Sequence, residues 1–250
     1  MVEHTDENLR GSRFERVDLS ESRLHGVVLA NVKITDAWVY DVEISCELGS
    51  LVVNGVDVSD YVRAERDRLH PELRMLRATD ADGLRDAWRL IEERANATLV
   101  RARSLPEEKL HESVDGEWSF IETLRHLVMA TDSWILRAVL GDPYPYHPLG
   151  LPFTEMGDIP GVPNDPDARP SLDEILAVRA DRTASMSAVL ADLTDEQLEG
   201  HTTAIPDVGY PESVSHPVRR CLTAIVLEEW EHNRIATRDL DVLTSPAGTG

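Results

Sequence analysis

The sequence predicts an α+β chain in two parts, a short square solenoid followed by a mainly α-helical bundle of four long helices. Three observations predict it. Apolar residues recur with a period of five within residues 7–58, four amphipathic segments of helical period follow from Leu84 onward, and a long proline-rich stretch separates the second from the third.

The five-residue period runs through Leu9, Phe14, Leu19, Leu24, Leu29, Ile34, Val39 and Ile44. Two positions before these stand small or β-branched residues, Ser12, Val17, Ser22, Val27, Val32, Ala37 and Val42, with Glu7 the exception. A helix repeats every 3.6 residues and a strand every two, so neither accommodates this pattern. A four-sided coil does, because each five-residue side turns one corner and sends one large and one small side chain inward. Gly49 falls where the next large residue is due. The solenoid is therefore expected to end there, with Leu51–Val53 as a last strand, dividing the chain into residues 1–60 and 61–245. These residues resemble the pentapeptide-repeat family, and the resemblance implies a right-handed quadrilateral β-helix of about two coils.

The first long helix spans Leu84 to Arg103, with Leu84, Ala87, Trp88, Ile91, Ala95, Leu99 and Ala102 on one face and Pro106 beyond its end. The second spans Trp118 to Leu140 and is stopped by Gly141-Asp142-Pro143, a glycine that closes a helix followed by a residue that cannot continue one. Pro170 and the capping-box sequence Ser171-Leu-Asp-Glu174 open the third, which runs to Asp192. The fourth runs from Pro217 through Asp239. Residues 141–170 hold more than half of the chain's 14 prolines. A connection that long is expected to serve as a crossover, or to carry function by laying Tyr144, Tyr146 and His147 over one end of the bundle.

Composition removes several classes of function. With 25 Lys+Arg against 46 Asp+Glu the formal charge is -21, so nucleic acid and anionic membranes are repelled and neither is expected as a partner. Cys46 and Cys221 lie far apart without CxxC spacing, which argues against a disulfide framework and a thiolate metal site. Acidic residues near Met1 oppose a signal peptide, and Thr223–Leu227 is cut short by Glu228 and Glu229 before it approaches a membrane span. The expected location is the cytoplasm.

The fourth helix carries Glu228-Glu-Trp-Glu-His232, whose four-residue spacing places Glu228 and His232 one turn apart on one face. Cys221, Ile225 and Ile235 extend that face, so the carboxylate is expected to point inward, where it is costly unless paired or bound to metal. On the second helix His126 shares a face with Ser119, Thr123, Met129, Ala130 and Ser133, which leave room for an ion. An i,i+4 Glu–His pair is also a common solvated surface pair, and a helical histidine is often simply packed.

The run from Trp118 to Trp134, together with Glu228 to Asp239, resembles the DinB superfamily, and within it the actinobacterial branch of mycothiol-dependent maleylpyruvate isomerase and mycothiol S-transferases. The resemblance implies an up-down-down-up bundle holding one divalent metal, zinc before nickel, manganese or iron, through His126, Glu228 and His232. It implies a small-molecule thiol such as mycothiol as co-substrate and an electrophilic small molecule as its target. The expected reaction is S-conjugation or thiol-assisted isomerisation. Metal-dependent hydrolysis by an activated water is the alternative, and a binding module without turnover is a third reading.

Arg234 and Arg238, one and two turns beyond the ligand pair, are candidates to receive a carboxylate of thiol or substrate, or else pair with Glu231 and Asp239. Tyr146 and His147 join them as candidate cofactor-binding residues. Asp132 is a candidate partner for a ligand imidazole or else faces solvent. Cys221 is read as a packed hydrophobe. The solenoid suggests a scaffold or a homodimer contact, its two coils being too short to imitate a useful length of DNA duplex.

Overall fold

The computed structural model describes residues 3–5, 7–24, 26–46, 48–154 and 156–244. The chain divides into two compact units, Met1–Cys46 and Glu47–Gly250.

In the first unit the backbone bends at regular intervals. Gly11, Arg16, Glu21, Gly26, Asn31, Asp36 and Asp41 all take positive φ, five residues apart, so a left-handed corner follows each large apolar residue by two positions. Such corners suit glycine and asparagine and cost other residues about 1 kcal/mol or more. Among the described residues of this unit no strand forms. The residues expected to face inward, from Leu9 at 44 % to Ile34 at 77 %, are exposed. The physical reason is length: repeats bury their apolar faces only against neighbouring repeats, and a segment this short supplies few neighbours to cover them.

The second unit opens with a hairpin, β1 (Val52–Val53) pairing antiparallel with β2 (Val56–Asp57). Asn54 and Gly55 between them both have positive φ, the requirement of the tight turn whose twist matches paired strands. Leu51–Val53 therefore leads into a local hairpin rather than ending a solenoid.

Helices follow: α1 (Ser59–Leu69), α2 (Leu73–Leu76), α3 (Ala81–Ala102), α4 (Phe120–Thr131), α5 (Leu172–Asp192), α6 (Asp195–Leu198) and α7 (Val218–Thr244). Asp80 caps α3 by accepting from Gly83 N at 2.7 Å. Ser119 and Ser171 each form a reciprocal capping box, with Glu122 and Glu174, and so set where α4 and α5 begin. The second predicted helix is α for its first half only; Asp132–Val139 continues it as π-helix. Among the long helices, α7 packs against α3 and α4, and α5 against α4 and α3. Leu84, Trp88, Ile91, Met186, Leu190, Leu222, Ile225 and Trp230 form one apolar cluster between them. A second gathers Leu110, Ile121, Val128, Ile175 and Leu240. No helix among the described residues is long and apolar enough to cross a membrane.

Two buried arginines anchor the connections. Arg137 donates to the carbonyls of Pro143 and Asp207, tying both the long α4–α5 connection and the segment before α7 to the π-helix. Arg125 donates to Leu149 O at 3.0 Å and Ala168 O at 2.8 Å, and also to Asp165 O, tying down two parts of the long α4–α5 connection.

Candidate metal centre

His126 lies on α4 and Glu228 and His232 on α7, and each offers a ligand atom within 4.8 Å of the other two. Glu228 Oε2 is 3.1 Å from His232 Nε2 and 3.5 Å from His126 Nε2. The His126 ring is buried, His232 is mostly covered, and the Glu228 side chain is 39 % exposed, so the cluster opens to solvent on the carboxylate side. Trp118, just before the N-cap of α4, covers another side: its ring centre lies 4.5 Å from that of His126 and 5.7 Å from that of His232.

The hydrogen bonds fix what these atoms can do. His126 Nδ1 is 3.1 Å from Leu151 O, an atom that only accepts, so Nδ1 carries the proton. The Nε2 lone pair of the neutral ring then faces the Glu228 carboxylate, with His232 Nε2 facing the same oxygen. Acceptors turned toward one another call for a cation between them. Without an ion the alternative is a proton on each Nε2: burial works against a charged Glu228, yet hydrogen bonds donated by imidazoles so protonated outweigh it and hold the carboxyl at about 2.

The donor set fits a divalent metal. Zinc–nitrogen and zinc–oxygen bonds of about 2.0–2.2 Å place neighbouring donors roughly 3–3.5 Å apart, and the carboxylate-to-imidazole distances fall in that range. The Nδ1-to-carbonyl bond of His126 is the support that orients a ligating imidazole. Three protein ligands leave at least one position for a small molecule, the condition for a reactive rather than a purely structural metal.

Other sequence candidates occupy contacts of their own. Arg234 donates to Glu231 at 3.0 Å and Arg238 to Asp239 at 2.6 Å. The Tyr146 hydroxyl donates to Tyr210 O and accepts from Tyr210 N, both at 2.8 Å. His147 N donates to Asp132 Oδ2 at 2.8 Å, while its Nδ1 accepts from Leu149 N. Burial, reinforced by nearby Arg182, holds the His147 imidazole below its usual range. Asp132 is fully buried and pairs with Arg182 at 2.7 Å, so it neither faces solvent nor supports a ligand imidazole; Leu151 O takes that role for His126. Burial raises the Asp132 carboxyl. Cys221 is fully covered.

Three participants escape sequence reasoning. Leu151 acts through its main chain, which no residue type encodes. Trp118 stands beside the N-cap of a ligand helix, a signal that marks it only once the histidine is paired with its partners. Burial and then the charge of Glu228 push the Tyr210 hydroxyl up, and nothing in its local sequence marks it.

The class defined by these features is a mainly helical protein with a two-histidine, one-carboxylate cluster that could hold a metal ion between two long helices. A model of the DinB superfamily matches residues 90–236, and the chain belongs to that metal-binding superfamily. No curated protein and no solved structure matches the chain.

Proposed function

We propose that the protein is a metal-dependent thiol S-transferase in which His126, Glu228 and His232 hold one divalent ion, zinc before nickel, manganese or iron. The observation that carries this reading is the convergence of three electron-pair donors beside a solvent-open edge. A divalent ion held there supplies Lewis acidity that favours the ionised form of a thiol brought to it. The chain's own residues do the rest. Trp118 shields the two imidazoles from water, and Leu151 O keeps the His126 proton on Nδ1.

With a chlorinated arene, the thiol sulfur bonds to the carbon bearing chlorine, chloride leaves with the bonding pair, and the thiol proton passes to solvent. In isomerisation the sulfur adds to a conjugated double bond, the weakened bond rotates, and the thiol is expelled unchanged. The resemblance to the mycothiol branch supports a mycothiol-like thiol as co-substrate, taken up in the cytoplasm. The thiol is favoured over water on chemical grounds. A thiol ionises near pH 8.5 and needs a small push, whereas bulk water at about 15.7 needs a large one. A water route would rest on the ion alone to ionise bound water, since the buried Asp132 is already held by Arg182 and His147.

The same proposal includes an up-down-down-up order for the four long helices and a division of the chain near residue 60. It also takes residues 1–60 as a right-handed four-sided solenoid serving as a homodimer contact. The five-residue spacing of the left-handed corners supports the solenoid.

Elemental analysis tests the centre: about one divalent ion per chain is expected, lost in Glu228→Ala and in His232→Ala. Ion retained by both variants rejects the ligand assignment. The reaction is tested by conjugating a chlorinated arene with mycothiol, bacillithiol or glutathione. Ester hydrolysis without thiol conjugation moves the reading to a hydrolase.

A further inference from the structure

We infer that Arg125 is a positioning residue for the metal centre, acting through the crossover and the carbonyl of Leu151 on His126; this rests on the metal reading above. Arg125 precedes His126 on α4, so its side chain points about 100° around the helix from the imidazole and cannot join the ligands directly. It is fully buried, and each hydrogen bond its guanidinium donates ends on a main-chain carbonyl of the crossover: Leu149, Asp165 or Ala168. Burying a guanidinium to hold loop carbonyls is costly. Buried Arg137 makes a similar clamp on Pro143 and Asp207, so it is the position of the Arg125 clamp, next to the carbonyl that holds His126, that sets it apart.

What the clamp secures is the placing of one atom. The Arg125 side chain takes Leu149 O, its main-chain carbonyl accepts from Leu151 N at 3.1 Å, and Leu151 O in turn receives His126 Nδ1–H. Two consecutive residues of α4 thus bracket Leu149 to Leu151 and turn the third carbonyl onto the imidazole. Two further contacts hold the same stretch. His147 N is fixed by Asp132, and a Cβ added at Gly150 would meet His147 O of the same loop at 3.1 Å, a tight approach, and Met129 Cβ of α4 at 3.5 Å, an ordinary contact. Loss of the clamp frees Leu151 O, after which the His126 ring rotates or adopts the other tautomer and Nε2 no longer presents its lone pair.

The test compares the full-length chain with Arg125→Met and Gly150→Ala. Zinc dissociation constants are measured by chelator competition, the cobalt(II) ligand-field spectrum is recorded for each, and circular-dichroism melting monitors the fold. Arg125→Met is expected to weaken zinc binding ~10–100-fold, the range seen when a supporting partner of a ligand is removed, and to alter the cobalt bands. Gly150→Ala, which leaves the guanidinium intact, is expected to change affinity and spectrum in the same direction by a smaller factor. A lower melting temperature with wild-type affinity and spectrum in both variants overturns the inference. If Arg125→Met does not fold, Gly150→Ala decides. Failure of the wild-type chain itself to bind zinc or cobalt overturns the metal reading instead.

Discussion

Glu228 stays charged where burial argues for neutrality, because two imidazoles converge on it; Cys221, two turns earlier on α7, shows what burial does without such partners. Its thiol is pushed up to about 11 by desolvation. Unfolded, a thiol titrates near 8.5, so between these values the folded chain holds a proton that the unfolded chain has released. The folded form is then favoured fully below about pH 8.5, and this contribution is lost as pH rises toward 11. Urea denaturation at pH 7.5 and 10.5 is expected to show a loss on the order of 2 kcal/mol that Cys221→Ala does not suffer. Thiol counting with an aromatic disulfide supplies a second check: exposed Cys46 reacts in the native chain and Cys221 only after unfolding. Equal native reactivity of the two would contradict the burial argument. The convergence of His126, Glu228 and His232 was legible at this scale because all three are side chains at helical spacing. Its supports were not, since a carbonyl from Leu151 and a loop clamp at Arg125 depend on where the chain returns.

Among the elements, the four long helices were readable from their caps and apolar periods, and the observed ends lie within a few residues of those expected except where α7 continues to Thr244. The short α1 was not readable. Its sequence, Ser59-Asp-Tyr-Val-Arg-Ala-Glu-Arg-Asp-Arg-Leu69, is so rich in charge that no apolar stripe emerges. Nor was the π-helical half after α4, because its widening answers tertiary packing rather than propensity. Between α5 and α7 a buried ion pair joins Arg179 to Glu229 at 2.6 Å, one residue from Glu228. A second Arg179 nitrogen has no hydrogen-bond partner among the described residues. Such a pair adds little net stability but is expensive to break on one side. Glu229→Ala is expected to cost about 3–5 kcal/mol in urea denaturation, whereas Arg179→Met combined with Glu229→Leu is expected to cost far less or to stabilise. A double variant as unstable as the single one would show that the pair, rather than an orphaned charge, holds α5 to α7.

At the scale of the whole molecule, the Met1–Cys46 unit sets a problem that the helical unit does not. Leu19, Leu24, Leu29 and Ile34 of its apolar row at five-residue spacing are each more than half exposed. Exposed apolar residues in such number fit the homodimer contact proposed above, in which the occupant sharing their period and side chains is the same segment of a second copy. Against that contact stands a formal charge of -21 on every chain. Like charges repel, and salt screens them over about 10 Å at 0.1 M, so association is expected to tighten as sodium chloride rises from 0.05 to 0.5 M, about a tenfold span. An ion-pair interface would loosen instead. Sedimentation equilibrium of the full chain at micromolar concentration is expected to show a dimer, and Leu19→Glu with Leu29→Glu is expected to give monomers with unchanged zinc content. A wild-type chain that remains monomeric at every salt concentration would mean that the five-residue row meets something other than itself.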